Sequence, residues 1–273
     1  MQRCPGRVAI VTGASRGIGR AIAQRLAAEG AAVAVTARSL ERAPEHLGGT
    51  LLELVEEIEA SGGRALAVQA DLSEPAARLA IHQRTVAELG PVDILVNNAA
   101  ASFYFPFEGY SARRYQVAQE VNVHAPWDLC QRVVPEMKRR GAGWIVNVSS
   151  ATASHHEMPF PDFAARGGSL LYGITKAALN RFSNGLGAEL QPHGIAVNSV
   201  EPVAAVMTPG VEALGIDLEG VFVESLEVMA EAVLALATCD PERMAGRITQ
   251  ATPLLEELQR PVRALDGSAP RAG

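Results

Sequence analysis

The stretch VAIVTGASRGIGRAIAQRLAAEGA, residues 8–31, constrains this chain more than any other. It reads as an apolar strand, a glycine turn and an amphipathic helix with Ile18, Ile22 and Leu26 on one face. A strand without polar alternation must be covered on both sides, so helices belong on each face of its sheet. Gly13, Gly17 and Gly19 permit a tight turn that brings backbone N–H groups and the helix N-terminus against a pyrophosphate. The spacing is G-x-x-x-G-x-G rather than G-x-G-x-x-G, and a plain structural turn is the alternative reading, weakened by the strand before it and the helix after it.

Short β-branched runs recur as RVAIVTG, AAVAVTA, RALAVQA, VDILVNN, GWIVNVSS, IAVNSVEP and, more weakly, GRITQAT. Helical patterns separate them, such as Ile18–Glu29 and the stretch with Leu51, Leu52, Val55 and Ile58. This alternation predicts βαβ units and a parallel sheet. Residues 112–140 read as one long helix that Pro126 and Pro135 should bend or interrupt. No repeat or domain boundary interrupts residues 1–252, which read as one α/β domain; residues 253–273, with Pro253, Pro261 and Pro270, read as an irregular tail.

With 48% hydrophobic and 20% charged residues, the 273-residue chain has the make-up of a soluble globular protein. A net charge of −6 and the lack of a basic run argue against nucleic acid as a partner. Cys4, Cys130 and Cys239 lie far apart without CxxC spacing, which predicts a reduced, cytoplasmic protein with no disulfide framework and no zinc site. The first apolar run is too short for a signal peptide, and no run approaches the ~18 apolar residues of a membrane span.

A second motif, LLYGITKAALNRF at 170–182, sets Tyr172 four residues before Lys176 on a predicted helix, so both share one face. A free phenol titrates near ~10 and is a poor proton shuttle at neutral pH. An ammonium at ~4 Å in an effective dielectric of ~20 contributes ~4 kcal/mol, enough to bring a tyrosine towards ~7, where general acid–base catalysis works best.

Together the motifs TGASRGIG (12–19), NNAA (97–100), VSS (148–150), YGITK (172–176) and VNSVEP (197–202) resemble the classical short-chain dehydrogenase/reductase (SDR) family, in family order over about residues 6–208. The resemblance implies a single-domain Rossmann fold, a doubly wound seven-stranded parallel sheet with helices on both faces. It implies an oxidoreductase that moves a hydride between a nicotinamide and a secondary alcohol/ketone or aldehyde. Tyr172 would be the general acid or base, Lys176 would lower its pKa and hold the ribose, Ser150 would polarise the carbonyl, and Asn122 would hold a water in the proton relay. Ser149 competes with Ser150 by register, and Asn122 also reads as a helix-interior asparagine bonding backbone. No metal is implied; His155 and His156 read as solvated loop histidines, the alternatives being approach to a substrate or to a metal with Glu157.

The cofactor positions implied are Gly13, Ser15, Arg16, Gly17, Ile18 and Gly19 in the turn, Asp71 and Leu72 beside adenine, Asn98, Ala99 and Ala100 after the fourth strand, Tyr172 and Lys176, then Pro202 and Thr208. Asp71 reads equally as a helix N-cap. An NAD site carries an acid at the end of its second strand, whereas VAVTARS ends here in Ala37 and Arg38. Arg38 and Arg16 suit a 2′-phosphate, so NADP(H) is expected over NAD(H); two solvated surface arginines are the alternative.

The chain departs from the family in three places. Ala100 replaces a usual glycine, Val203 replaces another, and the Ser150–Tyr172 interval is long, with SHHEMPFPDFAARGG looping out beside the site. Three apolar loops, SFYFPFEGY, HHEMPFPDF and MTPGVEALGIDLEGVF, point to an apolar or aromatic carbonyl or alcohol substrate with little charge, or to lids packed on their own core or on another subunit. The helices at 112–140 and 171–191 carry the apolar positions through which family members form a homodimer or homotetramer. Three other readings stand beside this one: a non-catalytic dinucleotide-binding sensor, an NAD-preferring alcohol dehydrogenase of the same fold, and an epimerase or dehydratase on the extended version of the fold, which shares Y-x-x-x-K but has a different glycine spacing and a larger substrate region.

Overall fold

A computed structural model describes residues 2–43, 48–160, 164, 168–213 and 222–269. Seven parallel strands form one sheet: β1 (Val8–Thr12), β2 (Ala32–Ala37), β3 (Arg64–Gln69), β4 (Ile94–Asn97), β5 (Gly143–Val148), β6 (Ile195–Glu201) and β9 (Ile248–Gln250), in the order β3-β2-β1-β4-β5-β6-β9. The order reverses at β1, which pairs with both β2 and β4, so the crevice beyond the carboxyl end of β1 is the topological switch point. A two-stranded pair, β7 (Ala205–Val206) and β8 (Val223–Glu224), follows β6 and was not expected.

Alternate residues of each strand enter two separate cores. Ala9 and Val11 pack with Leu26 of α1 (Gly17–Ala28), Leu54 of α2 (Leu51–Ala60), Val233 of α8 (Leu226–Leu236) and Leu254 of α9 (Ala251–Glu257). Ile10 and Leu95 pack on the other face with Ile81 of α3 (Pro75–Glu88), Met137 of α5 (Ala125–Arg140) and Leu190 of α6 (Leu170–Leu190). This two-sided burial is why the strands read as unbroken apolar runs. In α2, the capping box of Thr50 and Glu53 fixes the helix start. That start turns Leu54 inward and leaves Leu52 37% exposed, against the expected face.

The long helix expected at 112–140 is two helices. α4 (Ala112–Gln119) and α5 are joined by one π-helical turn, Glu120–His124, which carries Asn122. Pro126 has no N–H, so it cannot give the Asn122 carbonyl its α-helical bond, and the interruption falls just upstream of the proline. Pro135 is accommodated inside α5. The region read as an irregular tail begins inside α9; beyond it Val262 and Leu265 pack on the first core and Arg260 bonds Glu231 of α8. Its irregular part starts only after residue 257, because Leu254 and Leu255 have a core to bury in.

Candidate active site

The glycine turn closes tightly over β4. At Gly13 a Cβ would come 2.8 Å from the Ala99 Cα, and at Gly19 it would come 2.3 Å from the Gly13 carbonyl oxygen. Gly17 has φ +55°, the left-handed region where glycine costs least. Thr12 organises the far wall, accepting from the Asn98 and Ala99 N–H groups at 3.0 Å each, while Asn98 Nδ2 donates to the Thr12 carbonyl at 2.8 Å. Ser15 is buried, Ile18 packs on the first core, and Ala100 is exposed at the rim. Helix α1 starts with no side-chain cap and no acid in its first turn, so its leading N–H groups have no side-chain acceptor. A cradle of bare backbone with uncapped donors fits a pyrophosphate.

At the end of β2, Arg16 reaches Ser39 Oγ at 3.1 Å and the Gly48 carbonyl at 3.0 Å. Burial, and then the neighbouring Arg38 guanidinium, make Arg16 hold its proton less tightly. Asp71 sits near the same group. Burial acts upward on its carboxyl but is outweighed by the Ser73 N–H and hydroxyl and by Arg38, so the pKa is lowered. Two crowded cations with no acid paired to Arg16 among the described residues fit a dianionic phosphate better than bare ribose hydroxyls. Ser39, one residue beyond Arg38 in VTARS, is a contact the sequence reading passed over. Leu72 turns into the second core, and its carbonyl accepts from Arg78 Nε at 2.7 Å.

Tyr172 and Lys176 lie one turn apart in α6. Lys176 is 2% exposed, its Nζ donates to the Val148 carbonyl at 2.6 Å and lies 5.5 Å from the Tyr172 ring centroid. Burial lowers its pKa to about 8. The expected acidification of the phenol is absent in the chain by itself: burial, then the neighbouring Tyr104, push Tyr172 upward. The reason is geometric, since the ammonium is aimed at a carbonyl on β5 rather than at the phenol.

Ser149 is buried with its hydroxyl unpartnered among the described residues, whereas Ser150 is half-buried and accepts from the Thr152 N–H at 3.2 Å and hydroxyl at 2.9 Å. The Thr152 carbonyl approaches α6 so closely that a Cβ on Gly173 would come within 2.6 Å of it. Gly173, inside YGITK, thus lets the Ser150 turn dock beside Tyr172. Asn122 is buried and clamps the loop after β4, accepting from the Ala101 N–H at 2.7 Å and donating to the Ala101 carbonyl at 2.9 Å and to Thr175 Oγ1 at 3.0 Å.

After β6, Thr208 caps the short helix α7 (Pro209–Glu212), accepting from the Val211 N–H at 3.2 Å, and packs over the glycine turn, its Cγ2 3.2 Å from where a Gly17 Cβ would be. Pro202 is half-buried, and the N–H of Val203 donates to the buried Glu224 at 2.7 Å, which anchors the loop where the family glycine is missing. Part of this loop (214–221), and of the loop after β5 (161–163 and 165–167), lies outside the described residues. Among the described residues no group of three or more His, Cys, Asp or Glu side chains is placed to hold a metal, and no helix is long and apolar enough to cross a membrane.

Comparison with known proteins agrees with this arrangement. The family model for short chain dehydrogenases matches residues 7–217. A short chain dehydrogenase of Pseudocercospora fijiensis is 34% identical, with 93% of this chain and 84% of that protein aligned. The 3beta-hydroxysteroid dehydrogenase 1 of Eggerthella lenta is 34% identical over 75% of this chain and 72% of its own. Among solved structures, a blue fluorescent protein from a metagenomic library, in complex with NADPH, superposes with a TM-score of 0.76 at 33% identity, covering 91% of this chain and 97% of that one. The matched stretch spans both the glycine cradle at the switch point and the Tyr172–Lys176 helix beside it, and the protein is an oxidoreductase of the classical short-chain dehydrogenase/reductase family.

Proposed function

We propose that the protein is an NADP(H)-dependent oxidoreductase acting on a secondary alcohol/ketone or an aldehyde, with Tyr172 as its general acid or base. The observation that carries this reading is Lys176. An ammonium buried with only a backbone carbonyl, and no carboxylate among the described residues, is costly and is retained where chemistry needs it. The bound nicotinamide would supply or accept the hydride. Lys176, held at the Val148 carbonyl in the chain by itself, would hold the cofactor ribose and there lower the Tyr172 pKa. Ser150, already an acceptor from Thr152, keeps its own O–H to give to a carbonyl oxygen. Pro126 deprives the Asn122 carbonyl of its helical partner, which supports a water held there for the relay.

Arg16, Arg38 and Ser39 would take the 2′-phosphate, and the NADPH complex of the metagenomic homologue supports that choice. Asp71 would face adenine, while Pro202 and Thr208 would border the nicotinamide. The hydroxysteroid dehydrogenase relative supports an alcohol borne on an apolar ring. Three free cysteines are compatible with a reducing, cytoplasmic setting. A subunit pair through α5 and α6 is part of the same reading.

A spectrophotometric screen of ketones, aldehydes and alcohols with NADPH and NADH tests the reading. Cyclic ketones are expected to consume NADPH faster than NADH. Cofactor binding without turnover of any carbonyl or alcohol compound would leave the sensor reading instead.

A further inference from the structure

A second phenol stands beside the first. Tyr104, from the loop after β4, has its ring centroid 5.9 Å from that of Tyr172, with the planes tilted by 52°. Neither hydroxyl has a hydrogen-bond partner among the described residues.

The loop is fastened on both sides of this ring. Upstream, Asn122 grips both backbone groups of Ala101. Downstream, Phe105 forms a β-bridge with Gly168 at the end of the long loop after β5, and the Tyr110 hydroxyl donates to the Gly168 carbonyl at 2.7 Å. The Phe105 ring is backed by Tyr110, edge-on at 6.0 Å, and by the Arg114 guanidinium at 4.1 Å. Tyr104 itself joins none of these bonds. The clamps fix the backbone on both sides of the half-buried Tyr104 without bonding its side chain, which is the arrangement of a preorganised contact.

We propose that Tyr104 is the specificity-determining wall of the substrate pocket and that it selects aromatic or ring-conjugated ketones, with the matching benzylic alcohols, over saturated ring ketones of the same size. The proposal rests on Tyr172 being the group that meets the substrate oxygen. A carbonyl whose oxygen reaches that phenol has its adjoining ring laid along Tyr104. Tilted and offset aromatic pairs gain beyond ordinary area burial, and the surplus corresponds to about three- to tenfold in affinity. Saturated rings receive the burial alone.

The matched pair 1-tetralone and 1-decalone isolates that surplus. Both are titrated calorimetrically into the full chain with NADP⁺ present, for wild type, Tyr104→Phe and Tyr104→Leu, and kcat/KM is measured in parallel with NADPH. Wild type and Tyr104→Phe are expected to bind the tetralone in preference, with the preference reduced about three- to tenfold in Tyr104→Leu. A purely structural role for Tyr104 would weaken both ketones alike and leave their ratio unmoved, which overturns the proposal. So does a wild type that binds neither ketone or binds both equally, whatever the variants do. Loss of the preference in Tyr104→Phe assigns it to the hydroxyl and also overturns the aromatic wall. A Tyr104-dependent binding preference without turnover by either nicotinamide cofactor would uphold the wall and sink the oxidoreductase role assigned to Tyr172.

Discussion

Burying an ammonium against a lone carbonyl makes Lys176 a group whose charge state depends on the fold. Its pKa of about 8 lies below the ordinary 10.5, so between those values the unfolded chain holds a proton that the native state has released. Stability against unfolding therefore gains from this residue as pH rises from about 8 towards 10.5, and the penalty is fully present below about 8. Denaturant titrations across that window should show wild type gaining on Lys176→Met; parallel curves would show that the site is not desolvated. Tyr172→Phe is expected to keep cofactor binding while turnover falls by at least ~10²-fold, and retained turnover would remove Tyr172 from the mechanism. Arg38→Asp should turn a preference of about tenfold or more for NADP⁺ into one for NAD⁺, as read by titrating both cofactors. The Tyr–Lys spacing was legible because it is local to one helix. The Val148 carbonyl that holds the lysine was not, since the partner lies on a neighbouring strand and only the fold brings it there.

The strands and their glycine turn could be read from the sequence because two-sided burial writes itself as apolar runs between breakers. The π-helical turn at Glu120–His124 left no such trace beyond Pro126, and neither did the device that holds it. Arg78 of α3 is only 4% exposed. Its Nε donates to the Leu72 carbonyl at 2.7 Å, and its Nη2 pairs with the Glu120 carboxylate and reaches the Glu120 carbonyl at 3.4 Å. One side chain thus ties the loop after β3 to the turn that presents Asn122. Arg78→Met keeps the apolar stem but strands those acceptors, at about 1–3 kcal/mol. A lowered Tm is expected, with a smaller loss in Glu120→Gln, which still accepts a hydrogen bond. An unchanged Tm in Arg78→Met would mean that the turn stands on backbone geometry alone.

For the whole molecule, the segments around Arg3 and Arg260 close on one buried acid. Glu231 of α8 is fully buried and receives Arg3, Arg25 and Arg260, so the chain beyond α9 is bonded into the fold. Composition gave no hint of this, because the partners are more than two hundred residues apart for Arg3 and Arg25. Other apolar side chains are left partly exposed. Trp127 of α5 is 54% exposed and stacks on Phe182 of α6 at 5.3 Å, while Ile174 of α6 is 48% exposed. In a two-fold pair each residue occurs twice, so one substitution is felt at two places. Burying one large apolar side chain is worth about 2 kcal/mol, so losing two copies of Trp127 costs about 4 kcal/mol, or roughly a thousandfold in Kd. Trp127→Glu adds two desolvated carboxylates to that loss. Light scattering at micromolar concentration should give at least a dimer for wild type and a single chain for Trp127→Glu. A wild type of single-chain mass would leave these side chains as ordinary surface. A variant that stays paired would place the interface on another face, the exposed edge of β9 being the next to test.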